Sequence, residues 1–175
     1  FSQKLEEQKE KLAFELMSET GKPLTEAINE INGARDKIQF FLNESAETLK
    51  PKIVNENGNT KEEISYDPLG IVANISAWNY PYLVGINNFI PALICGNSVF
   101  YKPSELSTLT GLHITRLLHQ SGVPENVFQV VIGDGLVAQH LLDLELDGQF
   151  FTGSYRTGQH IHKSVAHPLI PVGLE

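Results

Sequence analysis

The stretch Pro91-Ala-Leu-Ile-Cys-Gly-Asn-Ser-Val-Phe-Tyr-Lys-Pro-Ser-Glu105 decides the fold. An apolar helix ends at Gly96, where a helix C-terminus favours glycine. Ser98–Lys102 then reads as a short strand, which Pro103 ends by removing a backbone donor and fixing φ. A second helix follows, capped by Ser107 or Thr108 and stopped at Gly122. Leu109, Leu112, Leu117 and Leu118 are the positions expected to be buried in it. Helix, strand and helix in so few residues mark a βα unit, because parallel strands need crossover connections.

The same alternation extends on both sides. Gly70–Ile75 is a strand leading into the apolar helix that ends near Gly96, and Val127–Ile132 is a third strand. Gly133-Asp-Gly135 then opens a short helix to Leu142. Gln149–Thr152 is a fourth strand, Gly153 opens another helix, and Leu169–Leu174 is a fifth strand. Repeated units of this kind predict an α/β fold with an open parallel sheet and helices on both faces.

Ahead of Pro68 the pattern differs. Phe1, Leu5, Leu12 and Leu16 share one face of a helix that Gly21 and Pro23 stop. Ala27, Ile28, Ile31, Ala34, Ile38, Phe41 and Leu42 form the stripe of a second helix, which ends at Leu49-Lys-Pro51. Polar residues from Lys52 to Asp67, with Asn57-Gly58 as the turn signal, predict an exposed β-hairpin. Three segments follow from this pattern: helices over 1–51, a hairpin over 52–67 and the sheet over 68–175.

Composition narrows the function. Thirteen basic against 21 acidic residues give a formal charge of −8, which disfavours a nucleic-acid partner bound by phosphate neutralisation. The longest strongly apolar stretch, Tyr82–Cys95, is too short to span a membrane and carries Asn87, Asn88 and Pro91. The charged opening Phe1-Ser-Gln-Lys-Leu-Glu-Glu7 does not read as a signal peptide. A lone cysteine rules out an internal disulfide and fits a reducing, cytoplasmic setting. Phe1 begins inside a helical pattern and Glu175 ends inside a strand-like one, so both ends read as cut.

Ligands of open parallel sheets bind at the carboxyl ends of the strands, and four polar groups are expected there. Asn79 follows the first strand, where its amide could donate to an oxyanion or cap the next helix. Lys102 and Glu105 follow the second. They suit the hydroxyls of a ribose, or they are a turn whose acid complements a helix dipole. Gly153 and Ser154 follow the fourth, either cradling a pyrophosphate at a helix start or forming a tight turn. The usual G-x-G-x-x-G fingerprint is absent. Glu175, after a glycine in an apolar strand, is a general base or a solvated carboxylate. Cys95 reads as a small residue packed at a helix end. His160, His162 and His167 read as exposed helix positions rather than metal ligands.

In order and spacing, Trp78-Asn79, Lys102-Pro-Ser-Glu105, Phe151-Thr-Gly-Ser154 and Gly173-Leu-Glu175 resemble the NAD-dependent aldehyde dehydrogenase superfamily. Met17-Ser-Glu-Thr-Gly-Lys-Pro23 is similar to a helix-ending segment early in that family. The resemblance covers nearly the whole chain and implies a Rossmann-like coenzyme-binding fold over 68–175. It implies Asn79 as oxyanion donor and Glu175 as general base. Trp78 would lie near the pyrophosphate, Lys102 and Glu105 on the adenine-side ribose, and Ser154 on the pyrophosphate. Ile75, Ser104, Gly135 and Gly153 would complete the coenzyme site.

The resemblance also implies NAD as cofactor, with NADP disfavoured by Glu105, and a small-molecule aldehyde as substrate. The hairpin would serve a homodimer or homotetramer. In the family a cysteine thiolate attacks the aldehyde, hydride passes to NAD, and a glutamate activates water to hydrolyse the thioester. That cysteine lies beyond the segment matched here, so the chain as given is expected not to turn over aldehydes. Two rivals stand beside this reading: an acyl-CoA or acyl-phosphate reductase of the same superfamily, and a non-catalytic nucleotide-binding module.

Overall fold

Alternating side chains along each strand explain why the sheet carries helices on both faces. In β3 (Ile71–Ile75), Val72 packs into one buried cluster while Ala73 and Ile75 pack into another. The computed structural model describes residues 1–165 and 169–175. His167 therefore lies outside the described residues.

Five strands form one parallel sheet in the order β5-β4-β3-β6-β7. The remaining members are β4 (Ser98–Lys102), β5 (Phe128–Val130), β6 (Gly148–Phe151) and β7 (Val172–Leu174). The strand order reverses between β3 and β6, which makes that junction the switch point where a parallel sheet opens a crevice. Ile75 pairs with both Lys102 and Phe151, and Phe151 pairs with Leu174. Four strands thus end level with one another.

On one face lie α1 (Ser2–Glu7), α2 (Lys9–Thr20), α3 (Leu24–Thr48), α4 (Pro81–Ile94) and α5 (Thr108–Gln120). Leu5, Leu12, Leu16 and Ile31 are fully buried there with Val72, Val99 and Phe128. Each such side chain contributes about 1.5–3 kcal/mol relative to leaving it in water. Phe89, Tyr101 and Phe128 form an edge-packed aromatic knot, with Phe89 5.3 Å from Tyr101 and 5.1 Å from Phe128. The other face carries α6 (Gly135–Leu142) and α7 (Tyr155–Val165), through Leu141 and Ile161 against Ala73, Ile75 and Phe151.

Several expectations need adjusting. The first predicted helix is interrupted at Gln8 (φ −112°, ψ 10°), so α1 and α2 are separate segments. Leu42, placed on the buried stripe of α3, is exposed; its neighbour Phe41 is the residue that packs against the core there. Leu109 and Leu112 are exposed as well; α5 instead buries Thr110, His113 and Ile114 alongside Leu117 and Leu118. The hairpin β1 (Lys52–Asn57) and β2 (Thr60–Ile64) turns through Gly58-Asn59, one residue later than expected. Gly58 takes φ +58°, which glycine reaches without strain. Every residue of both hairpin strands is exposed.

Candidate functional site

Because the strands end level, the residues that follow them meet at one rim. The Ser76 N–H donates to the Lys102 carbonyl (3.0 Å) and the Thr152 N–H to that of Ile75 (3.0 Å). The Glu175 N–H donates to the Phe151 carbonyl (3.0 Å), and the Gly153 N–H to that of Glu175 (3.1 Å). Above this rim opens a cleft of about 680 Å³. Asn79, Glu175, Ile75, Trp78, Lys102, Ser104, Glu105, Gly135, Gly153 and Ser154 all line it.

Lys102 is almost entirely buried, and its ammonium donates to the Pro103 carbonyl at 3.2 Å, with Glu105 Oε2 4.0 Å away. Burial lowers its pKa from the usual lysine value, while Glu105 and Asp134 oppose the shift. A buried ammonium with hydrogens to spare is an unfinished donor set facing the cleft. Glu105 reaches outward and is largely exposed. Ser104 does not point its oxygen freely into the space: its Oγ accepts from the Leu106 N–H at 3.2 Å and closes the turn before α5. Neither Ser107 nor Thr108 caps that helix through its side chain, contrary to expectation. Glu19 from α2 supplies the acceptors for Leu109 and Thr110.

Asn79 is exposed in the loop between β3 and α4. It is not the helix cap, since Tyr80 occupies the N-cap position and Glu30 Oε1 accepts the Tyr82 N–H at 2.8 Å. Among the described residues its side-chain amide has no protein partner, whereas its carbonyl accepts from Lys22 Nζ at 2.7 Å. Burial raises the pKa of Glu30 above the usual carboxylate value, against the pull of Lys22.

At the start of α7, Ser154 Oγ accepts from the Thr157 N–H (3.3 Å) and lies 2.9 Å from the Thr157 hydroxyl. Gly153 makes a close approach, since a Cβ there would lie 2.5 Å from Cζ of Phe151 and the ring would have to shift. Glu175 follows β7 at the rim and lines the cleft. Among the described residues the buried hydroxyls of Ser76 and Thr152 have no hydrogen-bond partner. Cys95 lies at the end of α4, ahead of β4, and so at the opposite edge of the sheet from the cleft. His160 and His162 are exposed on α7.

Lys22, Glu30, Thr152 and Thr157 were not singled out from the sequence as site residues. Thr152 adjoins Gly153 and Thr157 stands three residues after Ser154, so both were within reach. The first two act from a different part of the chain, and only Lys22 lay in a quoted motif. No helix among the described residues is long and apolar enough to cross a membrane.

Comparison with known proteins adds relatives to this geometry. A family model described as the aldehyde dehydrogenase family matches residues 1–175. An N-succinylglutamate 5-semialdehyde dehydrogenase of Legionella pneumophila is 33% identical over 176 residues, which is 100% of this chain and 35% of that protein. A betaine aldehyde dehydrogenase of Vibrio vulnificus is 35% identical over 99% of this chain and 36% of its own length. A solved betaine aldehyde dehydrogenase of Staphylococcus aureus, in complex with NAD+, superposes with a TM-score of 0.93. It is 30% identical, over 99% of this chain and 36% of that one. The chain therefore spans about a third of the length of the curated relatives it matches.

Proposed function

From the premise that this chain belongs to the aldehyde dehydrogenase family, we propose that its cleft binds NAD for a dehydrogenase oxidising an aldehyde to a carboxylic acid. The carrying observation is electrostatic. Four helices start at this edge of the sheet, and three of their N-termini already hold a carboxylate: Glu30 at α4, Glu19 at α5 and Asp134 at α6. Only α7 starts with a neutral group, Ser154. A pyrophosphate is drawn to helix N-termini and repelled by carboxylates, so α7 is the socket that suits it.

The remaining groups fit the same ligand. Lys102 offers its spare hydrogens to ribose hydroxyls and Glu105 accepts from them. The Glu105 charge would repel a 2′-phosphate, which makes NADP the less favoured cofactor. Trp78 borders the pyrophosphate end, and Ile75, Ser104, Gly135 and Gly153 shape the walls. The NAD+ complex of the Staphylococcus aureus relative supports this assignment. Bound NAD would supply the hydride acceptor.

Asn79 and Glu175 carry the chain's share of the chemistry. The Asn79 amide, without a partner among the described residues, donates to the oxygen that gains charge when the aldehyde carbon becomes tetrahedral. Glu175, at the rim of the cleft, takes a proton from the water that releases the acid. Cys95 is not among the residues that line the cleft, so it is not placed to be the nucleophile and these 175 residues alone should not turn over aldehydes. We further assign the hairpin to a homodimer or homotetramer contact in the cytoplasm.

Titration of NADH by fluorescence tests the reading. Lys102→Ala and Ser154→Ala should each weaken NADH binding by roughly tenfold, as the loss of one charge-assisted or capped contact does. Glu105→Gln should shift the NADP-to-NAD affinity ratio by about tenfold towards NADP. Undiminished NADH binding in both alanine variants would overturn the proposal.

A further inference from the structure

Met17-Ser-Glu-Thr-Gly-Lys-Pro23 has so far had no part in the chemistry, yet it delivers Lys22 to the site. α2 ends at Gly21 (φ +74°), and Pro23 opens α3, so Lys22 projects from a tight two-helix corner. Its side chain is only 12% exposed and ion-pairs with Glu30, whose side chain is fully buried. The same ammonium donates to the Asn79 carbonyl at 2.7 Å and sits 3.7 Å from the centre of the Tyr80 ring. All of its binding capacity is thus engaged by an acid, a carbonyl and an aromatic face. Glu30 completes the circuit by accepting the Tyr82 N–H at 2.8 Å.

We propose that Lys22 and Glu30 are positioning residues that fix the Asn79-Tyr80 peptide and so aim the Asn79 amide into the cleft. This inference rests on the oxyanion role assigned to Asn79 above. The loop from Trp78 to Tyr80 is exposed and has no other charged side chain bonded to it among the described residues. Holding the carbonyl of Asn79 fixes the plane of the peptide that follows and so restricts the backbone rotation at Asn79 that its side chain must follow. An oxyanion donor is effective only when held in place before the charge develops.

A double-mutant cycle in the complete polypeptide that carries this segment tests it. Lys22→Met alone would strand a buried carboxylate, so the pair Lys22→Met/Glu30→Gln is the better variant. The replacement amide still accepts from Tyr82, and removing both charges together avoids an unpaired one. The expected result is a fall of about tenfold in kcat for aldehyde oxidation, with KM for NAD within about twofold. Lys22→Arg, which keeps a cation, should restore most of kcat.

In an Asn79→Ala background the paired substitution should cost nothing further, because its effect passes through that amide. An equal loss in both backgrounds, or a parallel loss of NAD affinity, overturns the inference while leaving the dehydrogenase reading intact. A wild-type polypeptide that binds NAD but oxidises no aldehyde overturns the dehydrogenase reading itself, and this inference with it.

Discussion

Glu19 and Thr110, ninety-one residues apart, share two bonds: Oε2 of the glutamate accepts both the backbone N–H (2.9 Å) and the hydroxyl (2.6 Å) of the threonine. Oε1 accepts the neighbouring Leu109 N–H at 2.6 Å. Helix α5 thus receives its N-terminal acceptors from α2, a distant piece of chain. Glu19→Ala would leave those donors unpaired and remove a charge that complements the helix dipole. The expected loss is about 1–3 kcal/mol of stability, read from urea denaturation. A loss below about 0.5 kcal/mol would mean that water replaces the carboxylate at no cost.

Gly153 faces the ring of Phe151, which belongs to the buried cluster on the α6–α7 face. Gly153→Ala should therefore push a packed ring aside and cost about 1–3 kcal/mol, the usual effect of overfilling a core. The rim would shift with it, since the Gly153 N–H bonds the Glu175 carbonyl. Paired measurements of urea midpoint and NADH affinity should fall together; an unchanged midpoint would show that the ring yields freely.

His113 gives the chain a pH dependence with a definite sign. Its Nδ1 lies 3.0 Å from Glu15 Oε2 under partial burial. Burial holds its pKa below the ordinary 6.5; Glu15 and Glu19 oppose that shift, and Arg116 and Lys11 add to it. The unfolded chain therefore takes up a proton first as pH falls, and stability drops through the window just below 6.5. Urea midpoints compared between about pH 7.5 and pH 5.5 should fall for the wild type and fall less for His113→Gln. Equal slopes would mean that the pair with Glu15 balances the burial.

The frame of the fold was legible because it is local. Ser98–Lys102 appears with the bounds its β-branched and aromatic residues implied, bracketed by Gly96 and Pro103. Asn79, Lys102, Glu105, Gly153, Ser154 and Glu175 reach one cleft, since strand ends can be located from short apolar runs, whereas Ile75, Trp78, Ser104 and Gly135 line it too but were named through the family resemblance. What stayed hidden is non-local. Periodicity marks a stripe on α5 but does not say which edge of it meets a neighbour, so Leu109 and Leu112 were misplaced while Thr110 and His113 were overlooked. No pattern near Tyr82 or Leu109 announces that Glu30 and Glu19 complete their helices from far upstream. The break at Gln8 has no glycine or proline to mark it.

The ribbon of β1 and β2 buries none of its residues, although Ile53, Val54 and Ile64 are among them. A two-stranded ribbon standing alone is marginal in water. Its amides should trade hydrogen for deuterium far sooner than those of β3 or β4, which sit at the heart of the sheet. The ribbon is accordingly a built-in gauge of company: whatever comes to cover it will announce itself as a slowing of that exchange, at residues that take no part in lining the cleft.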